Sequence, residues 1–129
     1  MKAILTIITF FFFTSSFSQA NKLKGAWDNG NGQIFVFKKG GKALWIFYSE
    51  NQRDTFHITY QSNFSSKPFQ LDLSNFTSGP LKGKTLFGIV EFLDKSTIRF
   101  DCEAGTEESI RPKEFNPKDT QTYKRKNRI

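Results

Sequence analysis

The segment IFVFKKGGKALWIFY, from Ile34 to Tyr48, decides the fold of this chain. Two runs of aromatic and branched side chains flank a pair of glycines, and such runs are typical of β-strands. Gly40 and Gly41 supply the positive φ angles that a two-residue primed turn needs, so the segment is predicted to be a β-hairpin. Pairing outward from this turn gives three cross-strand pairs: Phe37 with Leu44, Val36 with Trp45, and Phe35 with Ile46.

Both faces of this hairpin are largely apolar. A strand that is half exposed to water alternates apolar and polar residues, and these strands do not. One face is therefore expected to fill the interior of a barrel, while the other face must be covered or partly exposed.

Similar strand signals continue along the chain, separated by clusters of Gly, Asn, Asp, Ser or Pro, and no stretch has a helical period. They predict eight strands: Lys24 to Asp28, Gln33 to Lys39, Ala43 to Ser49, Thr55 to Gln61, Phe69 to Ser74, Thr85 to Leu93, Thr97 to Glu103 and Thr120 to Lys126. Consecutive hairpins with few long connections favour an all-β, single eight-stranded antiparallel up-and-down barrel over a Greek-key sandwich. The interior of such a barrel has room for side chains or for one small ligand.

The hairpin TLFGIVEFLDKSTIRFDCE, from Thr85 to Glu103, allows two registers that place Glu91 on opposite faces. A two-residue turn at Asp94 and Lys95 puts Glu91 among apolar side chains. A three-residue turn that includes Ser96 puts Glu91 opposite Arg99, and we favour this register because it pairs opposite charges. Both registers turn Cys102 inward, where we expect a small buried residue rather than a nucleophile.

The first twenty residues, MKAILTIITFFFFTSSFSQA, have the pattern of a secretory signal: one lysine, an apolar run from Ala3 to Phe13, and small residues ending at Ala20. The alternative is a membrane anchor, but threonines interrupt the run and it is shorter than the ~20 residues of a span. We expect cleavage after Ala20 and a secreted or periplasmic protein without stable membrane insertion. Residues 21–129 would then form one barrel domain.

Composition sets further limits on this domain. Cys102 is the single cysteine, so no internal disulfide is possible and packing must stabilise the fold. Eleven phenylalanines follow the leader, together with both tryptophans and all three tyrosines. The formal net charge of +7 favours contact with anionic surfaces, but the basic residues do not gather on one strand face, so we expect no nucleic-acid binding. A monomer is expected.

The motif LKGAW, Leu23 to Trp27, resembles the Gly-x-Trp signature on the first strand of lipocalins and related calycin barrels. In that family the tryptophan packs across the closed end of the barrel under a basic residue from the last strand. The resemblance implies structural roles for Gly25 and Trp27, with Lys124 or Arg125 as the basic residue.

A second resemblance covers most of the chain after the leader. The ordered segments RDTFHITY, KPFQLDL, GIVEFLDKSTIRFDCEAG and RPKEF resemble a family of small exported lipocalin-like bacterial domains of unestablished activity, described chiefly from planctomycetes. The matching positions are Pro68, Leu71, Asp72, Gly88, Ile89, Cys102, Arg111, Pro112 and Phe115. Val90 departs from the family, which often has tyrosine there. The resemblance implies the fold and no mechanism.

The motif Arg111-Pro112-Lys113-Glu114-Phe115 has a structural interpretation. Pro112 cannot donate a ladder hydrogen bond, so the chain should leave the sheet there, and Phe115 is expected to tuck under the barrel as a plug. Arg111 is expected to hold the loop through a bidentate bond to Asp72 or Asp101. Alternatively, Arg111 lies at a ligand mouth and binds an anion.

Catalysis is the least supported class of function, and we expect no enzyme, no cofactor and no metal site. His57 is the single histidine and is predicted to lie on the surface. The acidic residues Glu103, Glu107 and Glu108 fit a solvated loop better than a cation site.

The leading hypothesis is the binding of a small hydrophobic or amphipathic ligand inside the barrel. The aromatic surplus supplies the candidate lining residues, namely Phe35, Phe37, Trp45, Phe47, Tyr48 and Phe100. The alternative is a filled barrel that acts as a protein-binding or inhibitory module through its loops and outer surface. Phe64 and Phe76, placed in loops, are the candidate contacts to a protein partner.

Overall fold

The computed structural model describes residues 21–127, so the proposed leader lies outside the described residues. The strands are β1 (Gly25–Asp28), β2 (Gln33–Phe37), β3 (Lys42–Tyr48), β4 (Arg53–Asn63), β5 (Phe69–Ser74), β6 (Thr85–Asp94), β7 (Thr97–Gly105) and β8 (Gln121–Lys126). Each strand pairs antiparallel with the next, and β8 returns to β1. The predicted eight-stranded up-and-down barrel is confirmed.

The β2–β3 hairpin has a different register from the predicted one. Lys39 joins the two glycines in a three-residue turn, closed by a hydrogen bond from the Lys38 N–H to the Lys42 carbonyl at 2.8 Å. The observed pairs are Phe37 with Ala43, Val36 with Leu44, and Phe35 with Trp45, so the predicted register is wrong by one residue. A one-residue shift moves every side chain of β3 to the other face.

The observed register is the one that gathers the aromatic rings. Phe35, Phe37, Trp45 and Phe47 all face the interior, whereas the predicted register separates the β2 rings from the β3 rings. Burial of large rings together contributes more free energy than burial of the smaller aliphatic side chains. The aliphatic residues form a second buried cluster on the outer face of β1–β3: Ala26, Ile34, Val36 and Ile46, with Leu44 and Tyr48 packed against them.

The β6–β7 hairpin adopts the register we favoured. Glu91 pairs with Arg99, and their side chains form an ion pair at 3.1 Å on the outer face. The turn itself differs, because a register shift between Phe92 and Asp94 leaves Leu93 as a bulge and Lys95-Ser96 as the turn. The bulge preserves the favoured pairing of Glu91 with Arg99. Cys102 faces inward, as both registers predicted.

One end of the barrel is closed by Trp27, which is fully buried. Its indole Nε1–H donates to the Leu23 carbonyl at 2.8 Å, and the Arg125 guanidinium lies 4.2 Å from the ring centroid. Arg125 also donates to the carbonyls of Lys22 and Lys24. Gly25 has φ +117°, and an added Cβ would lie 2.8 Å from the Arg125 side chain, so only glycine fits there.

The β7–β8 connection, residues 106–120, crosses the outer face of β5–β7, and we call it the strap. Arg111 binds both carboxylate oxygens of Asp72 at 2.5 and 3.0 Å and also donates to the Gly88 carbonyl. Asp101, which is 6% exposed, accepts hydrogen bonds from the Asn116 N–H and the Thr120 hydroxyl, both at 3.1 Å. The strap is therefore fixed to the barrel at two points.

Phe115 is not the plug that the sequence suggested. It lies on the outer face, where the Arg99 guanidinium is 3.9 Å from its ring centroid. The strap stays outside the barrel because Arg111 and Asn116, on either side of Phe115, are both bonded to carboxylates of the outer face. Pro112 follows an extended Arg111 (φ −52°, ψ 131°), the conformation that a following proline favours.

Candidate ligand-binding site

A cavity of about 290 Å³ occupies the end of the barrel opposite Trp27 and Arg125. It is bounded by side chains from β2, β3, β6, β7 and β8 and from the end of the strap. The lining residues are Gln33, Phe35, Trp45, Phe47, Leu86, Phe100, Cys102, Asp119, Gln121 and Tyr123.

One wall of the cavity is aromatic. Phe35 and Trp45 are stacked with ring centroids 5.2 Å apart, and Phe47 continues the row 4.8 Å beyond Trp45. Phe100 meets Phe35 edge to face at 6.0 Å. The wall follows from the β2–β3 register, which aligns Phe35 with Trp45. Such a wall offers an apolar surface against which a flat ring system can pack.

The part of the lining next to this wall is polar. The Tyr123 hydroxyl lies 2.7 Å from Gln121 Oε1 and 3.3 Å from Gln33 Oε1. Gln33 Oε1 also accepts the Trp45 Nε1–H at 3.2 Å, so this hydrogen bond joins the polar side to the aromatic wall. Asp119 contributes a carboxylate from the strap. The cavity therefore combines apolar area with a few convergent polar groups, as small-molecule sites do.

Two titratable groups in the cavity are held neutral. Burial raises the pKa of the Cys102 thiol to about 12, and the negative charges of Asp101 and Glu103 add to the effect. Burial likewise raises the pKa of Tyr123. A thiol protonated at neutral pH is a poor nucleophile, and the Tyr123 hydroxyl remains a neutral hydrogen-bonding group.

Four of the six predicted lining residues meet at this cavity: Phe35, Trp45, Phe47 and Phe100. Phe37 lies deeper, toward the closed end, with its ring 4.9 Å from that of Tyr60. Tyr48 lies on the outer face and donates to Asp28 at 2.9 Å, so its predicted place in the lining of the barrel cavity is wrong. The reason is alternation, because Tyr48 follows the inward-facing Phe47.

Sequence reasoning missed the polar half of the cavity, which consists of Gln33, Gln121, Tyr123 and Asp119. Gln33 and Gln121 each begin a strand, and Gln121 and Tyr123 share the inward alternation of Arg125 on β8. This alternation could have identified Gln121 and Tyr123 as inward-facing. It does so only once it is known which side chains of β8 point into the barrel.

The two loop phenylalanines are not exposed. Phe76 is buried and meets Trp45 edge to face at 5.9 Å. Phe64 packs against the core, with its ring 5.1 Å from that of Phe69. The expectation that these two rings are exposed for contact with a protein partner is therefore wrong, since Phe76 is buried and Phe64 is half-buried. Within residues 21–127, the exposed large apolar side chains are Phe56, Leu93 and Ile110.

Metal-ion clusters and membrane-spanning helices are absent from the described part of the chain. Across residues 21–127, no group of three or more His, Cys, Asp or Glu side chains is arranged to hold a metal ion. His57 is exposed, and Glu108 pairs with Arg111 at 3.1 Å. Among the helices of that same range, none has the length and apolar character to span a membrane.

Comparison of the chain with protein-family models, curated proteins and solved structures finds no match.

Proposed function

We propose that this protein is a non-catalytic, lipocalin-like binding protein that holds a small, flat, largely apolar molecule in the open end of its barrel. The observation that carries the proposal is the cavity itself, in which the Phe35–Trp45–Phe47 wall adjoins the Gln33–Tyr123–Gln121 cluster. The lipocalin-like assignment is supported by Gly25 and by the packing of Arg125 on Trp27.

The size of the cavity narrows the class of ligand. A volume of about 290 Å³ is at the lower end of the range for small-molecule pockets, roughly 300–1,000 Å³. A compact two- or three-ring molecule fills such a volume and places a ring face against the aromatic wall. A long acyl chain would leave the wall without stacking contacts.

The absence of catalysis is part of the proposal. The thiol of Cys102 is protonated at neutral pH because burial raises its pKa to about 12. His57 is exposed on the outer face of β4, where it cannot act on a molecule in the cavity. The polar groups of the cavity are suited to hold a ligand by hydrogen bonds.

The proposal is tested with N-phenyl-1-naphthylamine, a neutral dye that becomes fluorescent when it leaves water. Titration of the protein with this dye should give saturable fluorescence. Cys102→Phe places a ring in the cavity and should abolish the signal. Thr122→Phe, on the exposed face of β8, is the matched control and should leave binding unchanged.

Circular dichroism establishes that each variant retains its sheet content. Equal dye binding by the wild type and folded Cys102→Phe would place the dye elsewhere and defeat the proposal. A folded wild type that takes up no dye also contradicts it.

We also propose that the protein is exported with removal of residues 1–20. The support is the apolar run from Ala3 to Phe13 followed by Ser18-Gln19-Ala20. Expression of the complete chain in a bacterium and intact mass measurement of the periplasmic and culture fractions should give the mass of a chain that begins at Asn21. Recovery of only the full-length mass, from the membrane, would favour an anchor instead.

A further inference from the structure

The polar side of the cavity contains two carboxamide groups whose oxygens are already engaged. Gln33 Oε1 accepts the Trp45 indole N–H, and Gln121 Oε1 accepts the Tyr123 hydroxyl. A tyrosine hydroxyl has one hydrogen, and the shorter contact, 2.7 Å to Gln121 rather than 3.3 Å to Gln33, takes it. Each amide is thereby oriented, with its oxygen toward the protein.

The NH₂ groups of these amides have no protein acceptor among residues 21–127. The Tyr123 hydroxyl touches both amide oxygens, so Gln33 and Gln121 lie side by side although they come from β2 and β8. Gln33 is half-buried and Gln121 is exposed at the mouth of the cavity, and neither NH₂ group is sealed from the open end. The lining of the cavity therefore contains N–H donors that an acceptor atom of a ligand can satisfy.

The charge of the surroundings decides what kind of acceptor fits. Asp119 lines the same cavity, and Asp101 and Glu103 are close enough to Cys102 to disfavour its thiolate. These carboxylates would also disfavour an anionic ligand group. A neutral oxygen accepts the amide N–H bonds without that repulsion.

We propose that the ligand is an uncharged planar ring compound bearing a carbonyl oxygen, with its ring against the Phe35–Trp45–Phe47 wall and its oxygen bonded to the amides of Gln33 and Gln121. This inference rests on the proposed function and adds the class of ligand to it. A flat aromatic ketone or an oxo-heterocycle meets the description. A plain hydrocarbon lacks the acceptor, and an aromatic carboxylate carries the disfavoured charge.

Three probes on one ring skeleton test the proposal: fluorene, 9-fluorenone and fluorene-2-carboxylate. Their affinities are measured by displacement of N-phenyl-1-naphthylamine. We expect 9-fluorenone to bind about tenfold more tightly than fluorene, the difference of roughly one or two hydrogen bonds. Fluorene-2-carboxylate should bind more weakly than 9-fluorenone.

Gln33→Glu is the decisive variant, because it keeps an acceptor for the Trp45 indole and removes the amide donors. It should reduce the preference for 9-fluorenone over fluorene, as should Gln121→Glu, and the two substitutions together should bring the preference to near unity. Gln70→Glu makes the same chemical change on β5, outside the cavity, and should keep the full preference. The loss of selectivity at unchanged fluorene affinity is a result that mere structural damage would not produce.

The outcomes separate this inference from the proposed function. Equal binding of fluorene and 9-fluorenone by the wild type, or a preference that is undiminished in folded Gln33→Glu, overturns the carbonyl proposal while the binding function stands. Tightest binding of fluorene-2-carboxylate also overturns it. If the folded wild type binds neither the dye nor any of the three probes, the proposed function fails and the inference fails with it.

Discussion

The carboxylates on the outer face differ in how much water they meet, and this difference sets their energetic roles. Asp72 binds Arg111 bidentately, and the Arg111 side chain is 9% exposed. Glu91 binds Arg99 through a single contact, and both of these side chains remain in water, at 47% and 36% exposed. Exposed pairs contribute little, while a carboxylate that neutralises a buried guanidinium contributes more.

Asp72→Asn should therefore lower the free energy of unfolding by about 2 kcal/mol, because it leaves a mostly buried guanidinium without its full counter-charge. The matched change Glu91→Gln should lower it by about 0.5 kcal/mol or less. Urea unfolding of both variants measures the difference. Equal losses would show that the strap is not stabilised by the Asp72–Arg111 pair.

The contact between Asp72 and Arg111 could be predicted from the sequence, since Asp72 was one of two acceptors expected for Arg111. The inward placement of Gln33 and Gln121 could not be predicted. A glutamine in a strand signals an outward position, because burying an amide costs free energy unless the amide is hydrogen-bonded. Here the partners, Trp45 and Tyr123, are twelve and ninety residues away from Gln33, so the compensation is visible only in the folded chain.

Among the elements, the strap shows how a long connection can be ordered when its only regular element in the described structure is the short 3-10 helix Glu108–Ile110. Its hydrogen bonds to Asp101 lie at the C-terminal end, separate from the Arg111 contacts. Asp101→Ala should release that end, because it leaves the Asn116 N–H without its acceptor. Hydrogen exchange at Asn116 and its neighbours should accelerate about tenfold or more, while the barrel strands remain protected.

Glu103→Ala is the control for this prediction, since Glu103 is exposed on the same strand. It should leave exchange in the strap unchanged. If Asp101→Ala accelerates exchange in β7 and β8 to the same degree, the strap and the barrel open together and the strap is not a separate unit.

The hairpins show that the position of a strand and its pairing register are not equally predictable from sequence. The existence of all eight strands followed from their composition and from the turn residues between them. The β6–β7 register followed as well, because Glu91 and Arg99 bias the pairing. The β2–β3 register did not, because both faces of that hairpin are apolar, and only the turn length distinguishes the alternatives.

At the scale of the whole molecule, the buried neutral groups make stability depend on alkaline pH. Burial raises the pKa of Cys102 from 9.0 to about 12 and raises that of Tyr123 above 10.0. The unfolded chain therefore ionises first as the pH rises. The contribution of these two groups to the free energy of unfolding is fully present below pH 9. Above pH 9 it declines by up to about 1.4 kcal/mol per pH unit for each group.

Cys102→Ala removes the thiol contribution and should flatten the decline in melting temperature between pH 9 and 10.5. The slopes, rather than the absolute melting temperatures, are compared, because the substitution also alters packing. Parallel slopes for the wild type and the variant would show that the thiol is not held neutral by the fold.

The most direct test of the central claim, that the open end of the barrel binds a ligand, uses the two tryptophans as internal reporters. The Trp45 indole N–H lies at the cavity and bonds to Gln33, while the Trp27 indole N–H lies at the closed end and bonds to Leu23. In a ¹H–¹⁵N correlation spectrum each gives one side-chain signal, and 9-fluorenone is titrated in. A saturable shift of the Trp45 signal, with the Trp27 signal unmoved, is the predicted result. Two unmoved signals, or a shift confined to Trp27, would contradict the account.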